Sequence, residues 1–116
     1  MGQICNLQNL QTLKIRNNAI EVKGTQFLAT SYAMRNLTIL DMSQNQIMDD
    51  GFKFLTTASY LSNLHKLFVN DCGLTEKAAM YLKESRFLGK LRVLQIGKNQ
   101  LKEEGAIYIA KTPNLD

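Results

Sequence analysis

The sequence predicts a right-handed α/β solenoid, in which a parallel β-sheet lines the concave face and helices cover the convex face. Apolar residues alternate over a short stretch of each unit, as on a strand, and then recur at offsets of three and four, as on one face of a helix. This change of period repeats every 27 residues, starting at Leu10, Leu37, Leu64 and Leu91. A period of this length is typical of repeat proteins, in which each unit packs against the next.

Each unit begins with a strand. If the four leucines are counted as position one, position four is Leu13, Leu40, Leu67 and Leu94. Position six is Ile15, Met42, Val69 and Ile96. The alternation predicts strands near residues 12–16, 39–43, 66–70 and 93–97. The leucines point inward, and the side chains between them face the concave side.

A polar turn follows each strand. Position nine is Asn18, Asn45, Cys72 and Asn99. Where the chain turns inside a stacked coil, backbone groups lose their ladder partners, and an inward amide side chain can satisfy them. These four residues are therefore predicted to form a structural turn ladder. Cys72 has only a weak donor, and we expect it to be buried, reduced and unreactive there.

The second part of each unit is predicted to be helical, near residues 24–34, 51–61, 78–87 and 105–111. Position fifteen is Gly24, Gly51, Ala78 and Gly105, and the alanine indicates that no left-handed residue is required there. The acids that precede each helix would favour its positive end. An aromatic column beside the leucines is predicted to be core: Phe27, Phe54, Tyr81 and Tyr108.

These motifs resemble the leucine-rich repeat signature. Leu-x-x-Leu-x-Ile-x-x-Asn-x-Ile spans residues 10–20, and similar strings span 37–47, 64–74 and 91–101. The repeat length and the glycine at the helix resemble the ribonuclease-inhibitor-like class, which also occurs in intracellular immune receptors and Ran GTPase-activating proteins. The resemblance covers residues 10–116. It implies a horseshoe segment that binds other proteins, although a fold of this kind serves many partners.

The register predicts a single domain over residues 1–116. Residues 1–9 are the end of a partial preceding repeat, and the repeats are 10–36, 37–63, 64–90 and 91–116. Neither end carries a polar capping unit, so the chain is either a piece of a longer array or is covered at its ends by partner chains. We therefore expect self-association through the ends, with Leu7 and Leu115 in the contact.

Composition argues against other classes. The chain has 45% apolar residues, a net charge of +4 and no apolar run of the roughly 18 residues that a membrane helix needs. Without a secretory signal or a disulfide framework, a cytoplasmic, reducing location is expected. The lone His65 and the adjacent acid pairs do not form a catalytic constellation, so no enzyme is predicted. No cofactor or metal is expected, because Cys5, Cys72 and His65 lack ligand-like spacing.

The concave face is the candidate binding surface. Its candidate contacts are Phe68, Ile39, Val93, Lys66, Lys14, Arg16, Asp41 and Gln95. Basic residues outnumber acidic ones on this face, so an acidic patch on a partner protein would complement it. Phe68 resembles a binding anchor ringed by polar residues, although single exposed apolar residues are also normal.

Two functions follow. The first is a protein–protein interaction module that binds a partner on its concave face. The alternative is a scaffold or regulatory fragment of a larger switch, GTPase-activating or effector protein. Nucleic acid is a weaker third candidate, because the basic residues are sparse and are not interleaved with aromatic residues.

Overall fold

The computed structural model describes residues 9–110, which form four stacked strand–helix units. The strands are β1 (Thr12–Lys14), β2 (Ile39–Asp41), β3 (Lys66–Phe68) and β4 (Val93–Gln95). The helices are α1 (Val22–Ala29), α2 (Met48–Thr56), α3 (Glu76–Glu84) and α4 (Lys102–Ala110). The body is elongated, with extents of 48 × 28 × 18 Å.

The four strands form one parallel sheet in sequence order, β1-β2-β3-β4. Their register follows the 27-residue period, because Leu13 pairs with Leu40, and Leu40 with Leu67. The strands are two residues shorter than predicted. The backbone ladder nevertheless continues beyond them, since Ile15 N donates to Asp41 O at 2.9 Å and Asn17 N to Ser43 O at 3.0 Å. The predicted α/β solenoid with a parallel sheet is therefore confirmed.

Left-handed residues end the ladder in every unit. Position eight has a positive φ in all four repeats, between 54° and 61°, at Asn17, Gln44, Asp71 and Lys98. A non-glycine residue in this region costs roughly 1–2 kcal/mol, so the surrounding contacts must hold the turn in place. Position eight carries no glycine in any repeat, which explains why sequence patterning gives no sign of it.

The helices begin two or three residues earlier than predicted. Glycine was expected to open each helix, but it lies inside the first turn, where Gly51 N donates to Ile47 O at 2.9 Å. Its role is close packing. A Cβ on Gly51 would lie 3.0 Å from the Ile47 Cβ and 3.5 Å from the Thr25 Cβ of the preceding helix. Ala78 fills the same column in α3 and is fully buried.

The first three helices also end earlier than predicted. Ser31 and Ala58, both extended, separate α1 and α2 from short 3-10 turns at Tyr32–Met34 and Ser59–Leu61. In a 3-10 turn, residues three apart lie on the same face, as they also do in an α-helix. The spacing of apolar residues in the sequence therefore does not distinguish a short 3-10 turn from one more turn of α-helix. The predicted helices 24–34 and 51–61 therefore each combine an α-helix with a separate turn.

The core lies between the sheet and the helices. Leu40, Leu67 and the other inward leucines of the two central repeats are fully buried, whereas Lys14 and Lys66 on the opposite face of the sheet are exposed. The largest buried side chain is Phe52, in α2. The fold thus leaves one face of the sheet uncovered.

The predicted aromatic core column is wrong at Phe27, which is 79% exposed. Phe54 and Tyr81 pack partly against the core, and the Tyr108 side chain lies outside the described residues. In this column the ring faces the helix of the preceding repeat, since Lys53 Nζ of α2 lies 5.7 Å from the centroid of the Tyr81 ring in α3. Phe27 has no such helix before it in the described part of the chain, and its ring therefore meets solvent.

Candidate protein-binding site

The sheet presents two rows of side chains on its uncovered face, which we call the outer face. One row is Thr12, Ile39, Lys66 and Val93, and the other is Lys14, Asp41, Phe68 and Gln95. Because neighbouring strands lie about 4.8 Å apart, consecutive members of a row are close enough to share one ligand. The register therefore brings seven of the eight predicted contact residues onto adjacent strands.

The apolar residues of the outer face form a triangle. Phe68 on β3 lies one row away from Ile39 on β2 and Val93 on β4, and Lys66 separates the latter two within their own row. All three apolar side chains are half-buried. Partial burial beside a polar rim leaves apolar area that a partner can cover.

Charged residues surround this triangle. Lys14, Lys66 and Arg16 are exposed, and Arg16 follows β1 outside the strand. Asp41 is half-buried, and its Oδ1 accepts a hydrogen bond from Ser43 N at 3.0 Å. The outer face is therefore basic on the side of β1.

Position seven is Arg16, Ser43, Asn70 and Gly97, and Ser43 does not lie on the concave surface that strand alternation predicts for it. Ser43 is fully buried, and its Oγ accepts a hydrogen bond from Asn70 N at 3.1 Å. Asn70 in turn donates from Nδ2 to Gln95 Oε1 at 3.3 Å and accepts from Gly97 N at 2.6 Å. This network orients the Gln95 amide next to Phe68. Sequence alternation could not reveal it, because small polar residues fit both a surface strand and a buried turn.

The asparagines of the turn ladder join neighbouring repeats. Asn45 Oδ1 accepts from Asn18 N at 2.9 Å and from Ile20 N at 3.0 Å, and its Nδ2 donates to Ile15 O at 3.0 Å. Asn99 repeats this pattern with the backbone of the third unit, accepting from Cys72 N and Leu74 N and donating to Val69 O at 2.9 Å. Each amide thus satisfies backbone groups of its own turn and of the unit before it.

Asn18 and Cys72 depart from this pattern. Asn18 is exposed, and its Nδ2 donates to Arg16 O within its own turn, because no earlier repeat faces it in the described residues. Cys72 is buried as predicted, with 1% of its side chain exposed, and Sγ donates to Met42 O at 3.3 Å. Burial raises the pKa of this thiol, which favours the neutral form.

Asp49 also connects two repeats, a role that the sequence did not predict. Asp49 Oδ1 accepts from Thr75 N at 2.9 Å, and Asp49 Oδ2 accepts from Thr75 Oγ1 at 2.5 Å. The Thr75 hydroxyl oxygen also accepts from Lys77 N at 3.3 Å, which caps α3. The acidic column was predicted only to favour helix starts, and the threonine that it contacts belongs to no repeated column.

No cluster of three or more histidines, cysteines, aspartates or glutamates within residues 9–110 could hold a metal ion. None of the helices described is both long and apolar enough to cross a membrane.

Comparison with solved structures gives a likeness to an internalin from Listeria monocytogenes. The two chains are 25% identical with a TM-score of 0.48, and the match covers 100% of this chain. This chain spans 37% of the length of the internalin. No curated protein matches the sequence.

A sequence profile described as "Leucine Rich repeat" matches residues 6–29, 33–55 and 90–110. These ranges cover more than half of the chain. The unmatched part contains most of the third repeat, where Cys72 and Ala78 replace the usual asparagine and glycine. Leucine-rich repeat domains generally mediate protein–protein interaction and are typically not enzymes. The repeated strand–turn–helix unit, the in-register parallel sheet and the profile match together show that this chain belongs to the leucine-rich repeat family.

Proposed function

We propose that the chain is a protein–protein interaction module that binds its partner on the outer face of the sheet, the concave face expected for the solenoid. One observation carries the proposal. Phe68, Ile39 and Val93 lie on three adjacent strands, uncovered by any helix of residues 9–110, and Lys66 lies between Ile39 and Val93 in their row. An aromatic anchor within a polar rim is the composition in which binding energy concentrates.

The charge of this face supports a partner with an acidic patch. Lys14, Arg16 and Lys66 are exposed cations, and the nearest acid of the rows, Asp41, is half-buried and engaged with the backbone of Ser43. Opposite charges on a partner would mainly speed association and set orientation. Binding through this face should therefore weaken as salt is added.

We also propose that the repeats belong to the ribonuclease-inhibitor-like class. The 27-residue period supports this class, as do the glycines in the first turns of three of the helices, of which Gly51 and Gly105 are buried. A buried, unpaired Cys72 is compatible with the reducing, cytoplasmic location expected from the sequence.

The test compares Phe68→Asp with Ile107→Asp. Both substitutions place a carboxylate where an apolar side chain stood, but Ile107 is an exposed residue of α4, away from the outer face. A partner is first isolated by affinity capture with the wild-type chain, then purified and titrated against each variant. We expect Phe68→Asp to weaken binding by about 2 kcal/mol or more, and Ile107→Asp to have little effect.

Circular dichroism and thermal unfolding of both variants serve as the folding control. A partner that binds Phe68→Asp as tightly as the wild-type chain would overturn the proposal. Equal losses in the two variants would also count against the outer face.

A further inference from the structure

A second surface with the features of a binding site lies where the helices return to the strands. Tyr32 and Tyr60, in the 3-10 turns of neighbouring repeats, are 61% and 37% exposed. Their rings meet edge to face, with centroids 5.4 Å apart and an interplanar angle of 78°. Single exposed apolar residues are ordinary, but two rings in contact across repeats form a patch.

Cations border this patch in the first and third repeats, at Arg35 and at Arg86 and Lys90, whereas residues 57–65 of the second repeat contain neither lysine nor arginine. The Arg35 guanidinium lies 4.0 Å from the centroid of the Tyr32 ring. Arg35 O accepts from Asn63 Nδ2 at 2.8 Å, and Asn63 Oδ1 accepts from Lys90 Nζ at 2.9 Å. The Asn63 side chain thus connects the backbone of the first return segment with a lysine of the third. We call the surface of Tyr32, Arg35, Tyr60, Arg86 and Lys90 the basic edge.

The opposite edge of the solenoid carries the opposite charge. In the return segments 30–38, 57–65 and 84–92, the charged residues are Arg35, Arg86, Lys90, Arg92 and one acid, Glu84. In the strand-to-helix turns 17–23, 44–50 and 71–77, acids dominate: Glu21, Asp49, Asp50, Asp71 and Glu76, against Lys23 and Lys77. In the fourth turn, 98–104, two lysines balance two glutamates. The first three repeats therefore separate their charges between two edges.

An open cleft of about 320 Å³ adjoins the basic edge between α2 and α3. Its lining includes Arg86, Phe87, Lys53 and Tyr81, together with the acid Glu84. The aromatic walls suit a side chain that is apolar along its length, and the two cations outnumber the one acid, so the cleft is basic on balance. Arg86 belongs to both the cleft and the basic edge, so one ligand could engage both.

We propose that the basic edge binds an acidic polypeptide segment in an extended conformation. Apolar side chains of the segment lie on Tyr32 and Tyr60, and its carboxylates face Arg86 and Lys90. The cations belong to the first and third repeats and Tyr60 to the second, so a ligand that reaches all of them must cross three return segments, which favours an extended chain over a compact epitope. This site is separate from the outer face, and either surface can be used without the other.

Two other ligands, a second copy of the chain and nucleic acid, fit the basic edge less well. A second copy would have to offer its acidic turns, but Asp49 already accepts two hydrogen bonds from Thr75, and Asp50 and Glu76 lie in first turns, where the helix dipole stabilises them. Nucleic acid requires more phosphate contacts than these few cations provide. Both occupants are distinguishable outcomes of the test.

The test uses fluorescein-labelled peptides and fluorescence anisotropy. One probe is a short oligoglutamate, and the other is the same peptide with leucines at alternate positions. The variant is Arg86→Glu/Lys90→Glu, and the control is Lys23→Glu/Lys77→Glu, which makes the same charge change at exposed lysines near the acidic turns. We expect the first pair to weaken binding by about tenfold, a loss of about 1.4 kcal/mol, and the control pair to weaken it much less.

A second comparison tests the tyrosines. Tyr60→Ala should weaken binding of the leucine-containing peptide and leave oligoglutamate binding unchanged. Amide chemical shifts in a titration with the leucine-containing peptide should change mainly in segments 30–38, 57–65 and 84–92.

Other results would overturn the proposal. If the two charge-reversal variants lost equal affinity for the acidic peptides, the binding would depend on the net charge of the chain and not on the basic edge. Loss of binding only in Lys14→Glu/Lys66→Glu would assign the acidic ligand to the outer face. Single-stranded DNA that binds the basic edge more tightly than either peptide would replace the proposed ligand, as would self-association abolished by Arg86→Glu/Lys90→Glu.

Discussion

Cys72 occupies the position of an asparagine in the turn ladder but forms fewer and weaker hydrogen bonds than an asparagine would. Its thiol donates to Met42 O and, at 3.5 Å, to Asn70 O, whereas Asn45 and Asn99 each donate to the backbone and also accept from two amides of the preceding repeat. Backbone hydrogen bonds from Asn45 and Gln44 reach the Cys72 sulfur, but sulfur is a weak acceptor, so the turn of the second repeat is held less strongly than those of the first and third.

Replacement of Cys72 by asparagine should therefore stabilise the chain. The new amide would have the acceptor and donors that Asn45 and Asn99 use in the same register. We expect the free energy of unfolding in urea to rise by about 1 kcal/mol, the net value of a hydrogen bond in a folded protein. A clear loss of stability would mean that the site is too tightly packed for an amide.

Cys72→Asn should also remove a pH dependence of the free energy of unfolding. Burial raises the pKa of Cys72 above its ordinary value of 9.0, so above that pH the unfolded chain loses a proton that the folded chain keeps. The thiol therefore stabilises the fold fully below about pH 9, and this contribution is lost as pH rises toward the folded-state pKa. The difference in unfolding free energy between Cys72→Asn and the wild-type chain should grow over that range. Urea titrations at successive pH values measure it.

At the scale of the element, contacts between repeats fix where helices start. The first turn of α2 contains Asp49 and Asp50, which are equivalent with respect to the helix dipole. Only Asp49 also holds the start of α3, through Thr75 N and Oγ1. One carboxylate thus connects two helices.

Asp49→Ala should lower the free energy of unfolding by more than Asp50→Ala does. Asp50→Ala is the matched control, because it removes a carboxylate from the same helical turn. Loss of hydrogen bonds to a charged acceptor costs about 1.5–3 kcal/mol, and loss of a surface charge near a helix start costs about 0.3–1 kcal/mol. Urea unfolding of both variants measures the difference. Similar losses would indicate that the contact with Thr75 contributes little.

Sequence periodicity predicted the elements of the fold well, because the columns that determine strand and helix faces are occupied by similar residues in every repeat. Leu13, Leu40, Leu67 and Leu94 are aligned in the sequence and paired in the sheet. The partner-contact residues could be placed on the outer face for the same reason. Their role in binding stays a prediction.

Features that vary between repeats could not be predicted in this way. Position sixteen is buried at Thr25, Phe52 and Ala79, but these residues differ in size and polarity, so no column is visible. Thr25 is tolerated there because its hydroxyl donates to Glu21 O at 2.8 Å. The consistent aromatic column at position eighteen was instead taken for core, although its burial depends on a neighbouring helix.

At the scale of the whole molecule, the first unit in the described residues has one uncovered side. Phe27 on that side is 79% exposed, and β1 is an edge strand of the sheet. Such surface favours association. Leu7 and Leu115, which the sequence also assigned to an end contact, lie outside the described residues.

We expect the chain to self-associate through the face that carries Phe27. Light scattering over a dilution series should give an average mass that rises with concentration, and Phe27→Lys should reduce the rise. Gln26→Lys, which adds the same charge to an exposed neighbour in α1, is the control. A wild-type chain that stays monomeric at high concentration would contradict this expectation.

The turn ladder also bears on how a gene for such a chain can change. Asn45 and Asn99 each bind the backbone of the unit before them, at an offset set by the 27-residue period. An in-frame duplication of 27 codons would give the new asparagine the same partners in the copy before it, because each unit contacts only its neighbours. An insertion of another length between strand and turn would move one asparagine away from its partners. Inheritance of this fold is therefore expected to favour gain and loss of whole units, and a copy of the third unit would also carry the weaker connection at Cys72.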